Sequence, residues 1–313
     1  MYNWAIIGAG RVAHRFMEGL LHEEGSRLYA IYGRNVQRLE AFQEKYPCEK
    51  IYTDIEKLLD DEKIDCVYIS LPNHLHKEAI LKALKKGKPV LSEKPAVLKK
   101  EDLQEIEKVS KEKNVLFMEA MKTRFMPAYI ELKKRIEEGA IGKIEHIDTR
   151  LIFPAGRGGL GFTPEDKGLF YGCGIYNANW YADYFEDLKV VSADCMYDNG
   201  EAVYLRALLE AYGHTSILEV GMDTRKYAEA TVYGEKGYIV IPDFHRPVKA
   251  VICTDTIEEI DMNCEYGDFY PEAAHFIECL KEGRRESPLM RIEDSFRCLE
   301  VLEKIETGTR QMH

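Results

Sequence analysis

A few short stretches of this chain carry residue types whose spacing suits chemistry. Gly8-Ala9-Gly10-Arg11-Val12-Ala13 has the GxGxxA pattern. In that pattern the first glycine permits a tight turn, the second lets the backbone approach a pyrophosphate, and the alanine keeps a helix close to the preceding strand. The unpaired N–H groups at the start of that helix then hold the anion. Gly8, Ala9, Gly10, Arg11 and Val12 are therefore expected to cradle a dinucleotide. The end of the second strand sets which one. An NAD site has Asp or Glu there for the ribose 2′-hydroxyl, whereas this chain has Gly33-Arg34-Asn35 and no carboxylate until Glu40. Arg34 is either a solvated turn residue or the partner of a 2′-phosphate, with its guanidinium stacked on adenine. NADP is expected in preference to NAD.

Two further stretches follow the carboxyl ends of strands, where open α/β sheets bind ligands. One is Ser70-Leu71-Pro72-Asn73-His74-Leu75-His76, and the other is Glu93-Lys94-Pro95. His74 and His76 stand two apart on a starting helix and point in different directions, so they do not form a metal pair. They read either as polar helix-start residues or as the lining of a cofactor pocket. Lys94, just ahead of a helix-breaking proline, presents an ammonium at the rim of the same cleft, although a lone lysine is commonly just solvated. Gly156-Arg157-Gly158-Gly159-Leu160-Gly161 opens no clear helix and reads as a loop bordering a substrate site. There is no GxSxG elbow, no Walker loop, and no His/Cys set at metal-ligand spacing along the chain, so no metal is expected.

The elements that must position these residues change character once. Apolar runs at 3–7, 28–33, 51–52, 66–71, 89–92 and 115–120 alternate with helical patterns at 12–21, 36–46, 55–60, 75–86 and 100–113. Continuously apolar strands between helices imply a parallel sheet covered on both faces. After about residue 122 a helix at 128–138 is followed by longer strands at 144–153, 189–197, 202–211, 214–220, 228–233, 238–241, 248–254 and 256–262. Asp198-Asn199-Gly200 and Gly234-Glu235-Lys236-Gly237 read as hairpin turns. Helical patterns at 271–282 and 293–307 close the chain. The expected architecture is α/β plus α+β. A doubly wound, dinucleotide-binding Rossmann domain spans 1–122. A domain for substrate binding and oligomerisation spans 123–313, with a large mostly antiparallel sheet covered by helices on one face.

The ordered set of motifs resembles the glucose-fructose oxidoreductase/inositol dehydrogenase/rhizopine catabolism (Gfo/Idh/MocA) family. The GxGxxA, the Pro72-Asn73-His74-x-His76, the Glu93-Lys94-Pro95 and the Met118–Phe125 stretch occur in the family's order. Glu119-Ala120 with Arg124-Phe125-x-Pro127 is most similar to its dihydrodiol dehydrogenase branch, and Gly234–Gly237 and Phe276 with Ser287-Pro288 also fit. The resemblance implies a nicotinamide-dependent oxidoreductase acting on a secondary alcohol or carbonyl of a sugar, polyol or related small molecule. It implies Lys94 between nicotinamide and substrate, and Tyr176 as the acid/base. Leu71, Pro72, Asn73, His76, Glu93, Lys94 and Arg124 join the cofactor-lining set. It also points to a homodimer, as does an antiparallel sheet with an open face. Two positions depart from the family: Gly172 stands where an Asp is usual, and Lys122 where the branch has Trp. A tyrosine hydroxyl has an ordinary pKa near 10 and needs a neighbouring ammonium to work at neutral pH. Without the carboxylate, Tyr176 reads alternatively as a core tyrosine beside Tyr171, Trp180 and Tyr181. The whole chain then reads alternatively as an NADP(H)-binding sensor.

Composition sets the outer bounds. The 313 residues are 45% hydrophobic and 11% aromatic, enough for two packed cores. Net charge is −11, which argues against nucleic-acid or anionic-membrane partners. The N-terminus shows no secretory pattern, the longest uncharged run (168–182) is too short and polar to span lipid, and eight scattered cysteines suit reduced thiols. A cytoplasmic protein is expected. Residues 1–122 carry net +1 and residues 123–313 net −12, a partition that favours a neutral polyol over a multiply charged anion as substrate.

Overall fold

The computed structural model describes residues 1–154, 163–198, 201–223 and 225–312. The glycine-rich loop with Arg157 and the turn at 199–200 lie outside them. The chain forms two compact units, Met1–Lys122 with Glu265–Ser295, and Thr123–Cys264 with Phe296–His313.

In the first unit the chain runs β1 (Tyr2–Ile7), α1 (Arg11–Leu20), β2 (Ser26–Tyr32), α2 (Val36–Lys45), β3 (Lys50–Tyr52), α3 (Ile55–Leu59) and β4 (Cys66–Ile69). It continues with α4 (His76–Lys85), β5 (Val90–Glu93), α5 (Lys100–Lys113) and β6 (Phe117–Ala120). The strands form one parallel sheet in the order β3-β2-β1-β4-β5-β6. That is the doubly wound dinucleotide-binding order, with its switch point between β1 and β4. Every residue of β4, β5 and β6 is buried, as a sheet covered on both faces demands.

In the second unit α6 (Pro127–Glu137) leads to β7 (Ile144–Pro154), α7 (Gly168–Tyr184), β8 (Lys189–Asp198), β9 (Glu201–Ala211) and β10 (His214–Asp223). Then come β11 (Tyr227–Gly234), β12 (Gly237–Pro242), β13 (Lys249–Cys253) and β14 (Ile257–Asp261). The chain ends with α8 (Tyr270–Lys281), α9 (Ile292–Gly308) and β15 (Thr309–Met312). Nine strands make one sheet, β14-β13-β12-β11-β7-β10-β9-β8-β15, antiparallel except for the β7–β10 and β8–β15 pairs.

Three features differ from the sequence expectation. The run at 168–182 forms α7, buried from Leu169 to Ala182 on every side. A helix that is apolar all round has no polar stripe, so it carries no amphipathic signal. β15 is a strand the sequence pattern does not announce, since a four-residue edge strand offers little period. Finally, α8 belongs to the first unit: Gly19 of α1 sits so close that an added Cβ would lie 2.6 Å from the Tyr270 backbone nitrogen. Among the described residues no helix is long and apolar enough to cross a membrane.

Candidate active site

The glycine turn after β1 has the form that a bound pyrophosphate requires. Gly8 adopts φ +112°, and a Cβ there would stand 2.8 Å from the Ser70 carbonyl oxygen. Only glycine satisfies both constraints. The Gly8 N–H donates to the Tyr32 carbonyl (2.9 Å), and the Ser70 hydroxyl donates to the Gly8 carbonyl (3.0 Å). This ties the turn to both neighbouring strands. A Cβ on Gly10 would meet nothing within 4 Å, so the space above it is open. Gly10 also caps α1 without any side-chain hydrogen bond, which leaves the first N–H groups of that helix for an anion. Ala13 is fully buried. The residues present therefore fit a dinucleotide phosphate. Arg34 follows β2 in an exposed position, and the Asn35 side chain accepts from the Arg38 N–H (2.9 Å), starting α2 there.

The loop after β5 is fixed residue by residue. Tyr68 donates to the Glu93 carboxylate at 2.5 Å, and the Ala96 N–H donates to buried Glu119 at 2.9 Å. His76 is wholly buried, with Nδ1 2.9 Å from the Pro95 carbonyl and Nε2 2.7 Å from the Leu71 carbonyl. Both ring nitrogens thus lie within hydrogen-bond distance of a backbone carbonyl. The histidine connects the loop after β4 to the loop after β5. Glu93, Pro95, Ala96 and Val97 are buried, and Lys94 between them is half-buried. Leu71 and Asn73 are half-buried and Pro72 is exposed. Of the expected cofactor-lining set, Glu93 and His76 are thus turned inward to protein partners.

Lys122, the lysine where the resembling branch has Trp, is buried and ion-paired with Asp268. Arg15 reaches the same carboxylate at 2.8 Å, and both cations lie over the Phe269 ring. Burial alone would raise the Asp268 pKa, but Lys122 and then Arg15 outweigh it and hold the carboxyl below its ordinary value. Glu272, four residues beyond Asp268, is fully buried, and among the described residues neither carboxylate oxygen has a hydrogen-bond partner. Burial, reinforced by Glu93, drives its pKa well up, which favours the protonated form. None of these pairings is visible in the sequence, because Lys122 and Asp268 lie 146 positions apart.

In the second unit Tyr176 is buried on α7, its ring edge-to-face with His245 at 5.6 Å, and His245 also packs against Phe153 at the end of β7. Sequence reasoning had no signal for His245. The helix is held in place by polar groups. Asn177 donates to the Thr149 hydroxyl and the Glu219 carbonyl (both 3.0 Å), and the Tyr181 hydroxyl lies 2.9 and 2.8 Å from the Ile147 and Ile217 carbonyls. Gly172 lies one helical turn ahead of Tyr176, so the family's carboxylate would project from the same face. Arg124, expected at the cofactor, donates to Asp183 and Asn179 (both 2.6 Å) within this unit.

Comparison with known proteins agrees with this reading at the level of family. Residues 2–121 match the profile of an oxidoreductase family with an NAD-binding Rossmann fold, and residues 129–240 match the GFO/IDH/MocA C-terminal domain. A scyllo-inositol 2-dehydrogenase (NADP+) of Bacillus subtilis is 29% identical, covering 97% of this chain and 96% of the relative. A trans-1,2-dihydrobenzene-1,2-diol dehydrogenase of Xenopus laevis is 26% identical, covering 94% of this chain and 93% of that one. Among solved structures, a 3-ketoreductase of Actinomadura kijaniata in complex with NADP and TDP-benzene has a TM-score of 0.89. It is 25% identical and covers 99% of this chain and 98% of its own.

Proposed function

This chain belongs to the Gfo/Idh/MocA oxidoreductase family, and on that premise we propose that it moves a hydride between NADP and a secondary alcohol, or the matching carbonyl, of a neutral sugar- or polyol-like compound. The observation that carries the proposal is the uncapped start of α1 over the open space at Gly10. When bound, the nicotinamide supplies or takes up the hydride. Gly8, Ala9, Gly10, Arg11 and Val12 would hold the pyrophosphate, and Arg34 the 2′-phosphate. Tyr176 takes the hydroxyl proton of the alcohol, or returns it to the carbonyl oxygen in reduction. By the family resemblance Lys94 carries over as the lysine that would stand between nicotinamide and substrate and assist the proton transfer. The relatives are named as dehydrogenases and a reductase, and they lend no support to a sensor without chemistry.

Lys94→Met tests this assignment. It is expected to lower kcat/KM at least about 100-fold, the scale of lost proton-transfer assistance, while NADPH still binds. Full turnover in that variant overturns the role of Lys94. NADPH is expected to raise the melting temperature more than NADH at equal concentration, and that difference is expected to vanish in Arg34→Ala.

We extend the proposal to assembly as a homodimer through the outer face of the nine-stranded sheet. Ile257, Cys253, Tyr238, Tyr233 and His146 are successive register partners across five strands, so their side chains share one face. Ile257 is 76% exposed and Tyr238 42%. None of the eight cysteines is joined in a disulfide, which supports a reducing, cytoplasmic setting.

A further inference from the structure

We propose that Glu145, His146 and His214 form a site for a zinc-class divalent cation at the start of β7 and β10. The donor atoms of the three side chains lie within 4.8 Å of one another. None of the three makes a hydrogen bond or ion pair among the described residues; the contacts of His146 are ring stacking on Tyr233 (4.2 Å) and on His214 (6.4 Å). A carboxylate and two imidazoles thus converge without satisfying one another.

The backbone explains why adjacent residues point the same way. On a regular strand Glu145 and His146 would face opposite sides of the sheet. The β7–β11 ladder, however, pairs Tyr233 with His146 and Gly234 with Ile144, which leaves Glu145 as the extra residue of a bulge. A bulge re-aims a side chain in this way. The parallel β7–β10 register begins at Leu218 and Thr149, and the stacked rings of His146 and His214, 6.4 Å apart, bring the starts of the two strands together. Two nitrogen donors and one carboxylate oxygen suit Zn²⁺, Co²⁺ or Ni²⁺ and not Mg²⁺ or Ca²⁺, which prefer all-oxygen shells. A zinc ion about 2.1 Å from each donor draws them closer than 4.8 Å by small side-chain rotations, with water as fourth ligand.

The site stands apart from the candidate catalytic residue Tyr176 of the same unit. Phe153, through which β7 approaches His245 and Tyr176, lies roughly 23 Å along the strand from His146, at about 3.3 Å per residue. A bound cation would tie β7 to β10 at the end remote from Tyr176.

The test uses tag-free, full-length protein titrated with CoCl₂ and, separately, ZnCl₂. The expected result is one equivalent bound with visible Co²⁺ d–d bands, bleached by zinc, and a melting temperature raised by Zn²⁺ but not by Mg²⁺. His214→Asn, at an exposed position, and Glu145→Gln are each expected to weaken Co²⁺ binding at least about tenfold, since loss even of an outer-shell partner of a ligand costs that much, with turnover unchanged. Absence of stoichiometric binding in the unmodified protein overturns the proposal. So does binding that persists undiminished in both variants, which would assign the metal to other groups such as thiols.

Discussion

At the scale of single residues, Glu93, Pro95 and Ala96 each turn inward to a fixed partner, and the loop after β5 thereby sets the position of Lys94. The sequence makes Lys94 stand out through its motif, but the groups that hold its neighbours come from three other elements. Glu272 is the opposite case: nothing in its local pattern distinguishes it from an exposed helix glutamate. Its folded-state pKa lies above its unfolded value, so the folded protein keeps a proton that the unfolded chain releases. Stability is therefore unaffected below the unfolded pKa of about 4.3 and falls as pH rises above it. Glu272→Gln removes that cost. Denaturant titrations are expected to show the variant level with the parent near pH 4 and increasingly more stable toward pH 8. A constant difference at every pH would show that Glu272 is not held neutral in the folded state.

At the scale of elements, α1 and α7 mark the two extremes of legibility. The start of α1 follows from a glycine motif with a mechanical reason for each residue, whereas α7 has no amphipathic period because it is buried on every side. The β7 bulge is likewise invisible in the sequence, since alternation there reads the same with or without one extra residue. The α1–α8 contact yields a prediction of its own. Alanine at position 19 gains up to about 1 kcal/mol of helix propensity over glycine. Its Cβ would, however, meet Tyr270 backbone at 2.6 Å, and backbone cannot rotate away. Gly19→Ala is expected to lose about 1–3 kcal/mol in denaturant titration, the range for overpacking. A stabilised variant would mean that α8 is not seated so closely against α1.

At the scale of the whole molecule, the structural units redistribute the charge. The segment 265–295 is acidic and joins the first unit, so the units carry 25 Lys+Arg with 28 Asp+Glu, net −3, and 18 with 26, net −8. The expected contrast of +1 against −12 becomes smaller. An anionic dinucleotide would thus rely on the local N–H groups of α1 and on Arg34, because the unit has no net positive field. The second unit remains the more acidic, still in keeping with a neutral substrate. The row from Ile257 to His146 predicts a dimer on size-exclusion chromatography with light scattering, shifted toward monomer by Tyr238→Asp, which sets a charge in an apolar contact. A monomeric parent protein would remove the proposal. The sequence by itself determined the parallel first sheet, the dinucleotide turn and nearly every strand of the second sheet. Those depend on local turn chemistry and on periods of two or 3.6 residues. Only the tertiary structure decided the course of 265–295, the burial of α7, the Lys122–Asp268 pair and the convergence of Glu145, His146 and His214. Each of these depends on residues far apart in the chain, or on the packing around a segment, and neither leaves a local period to read.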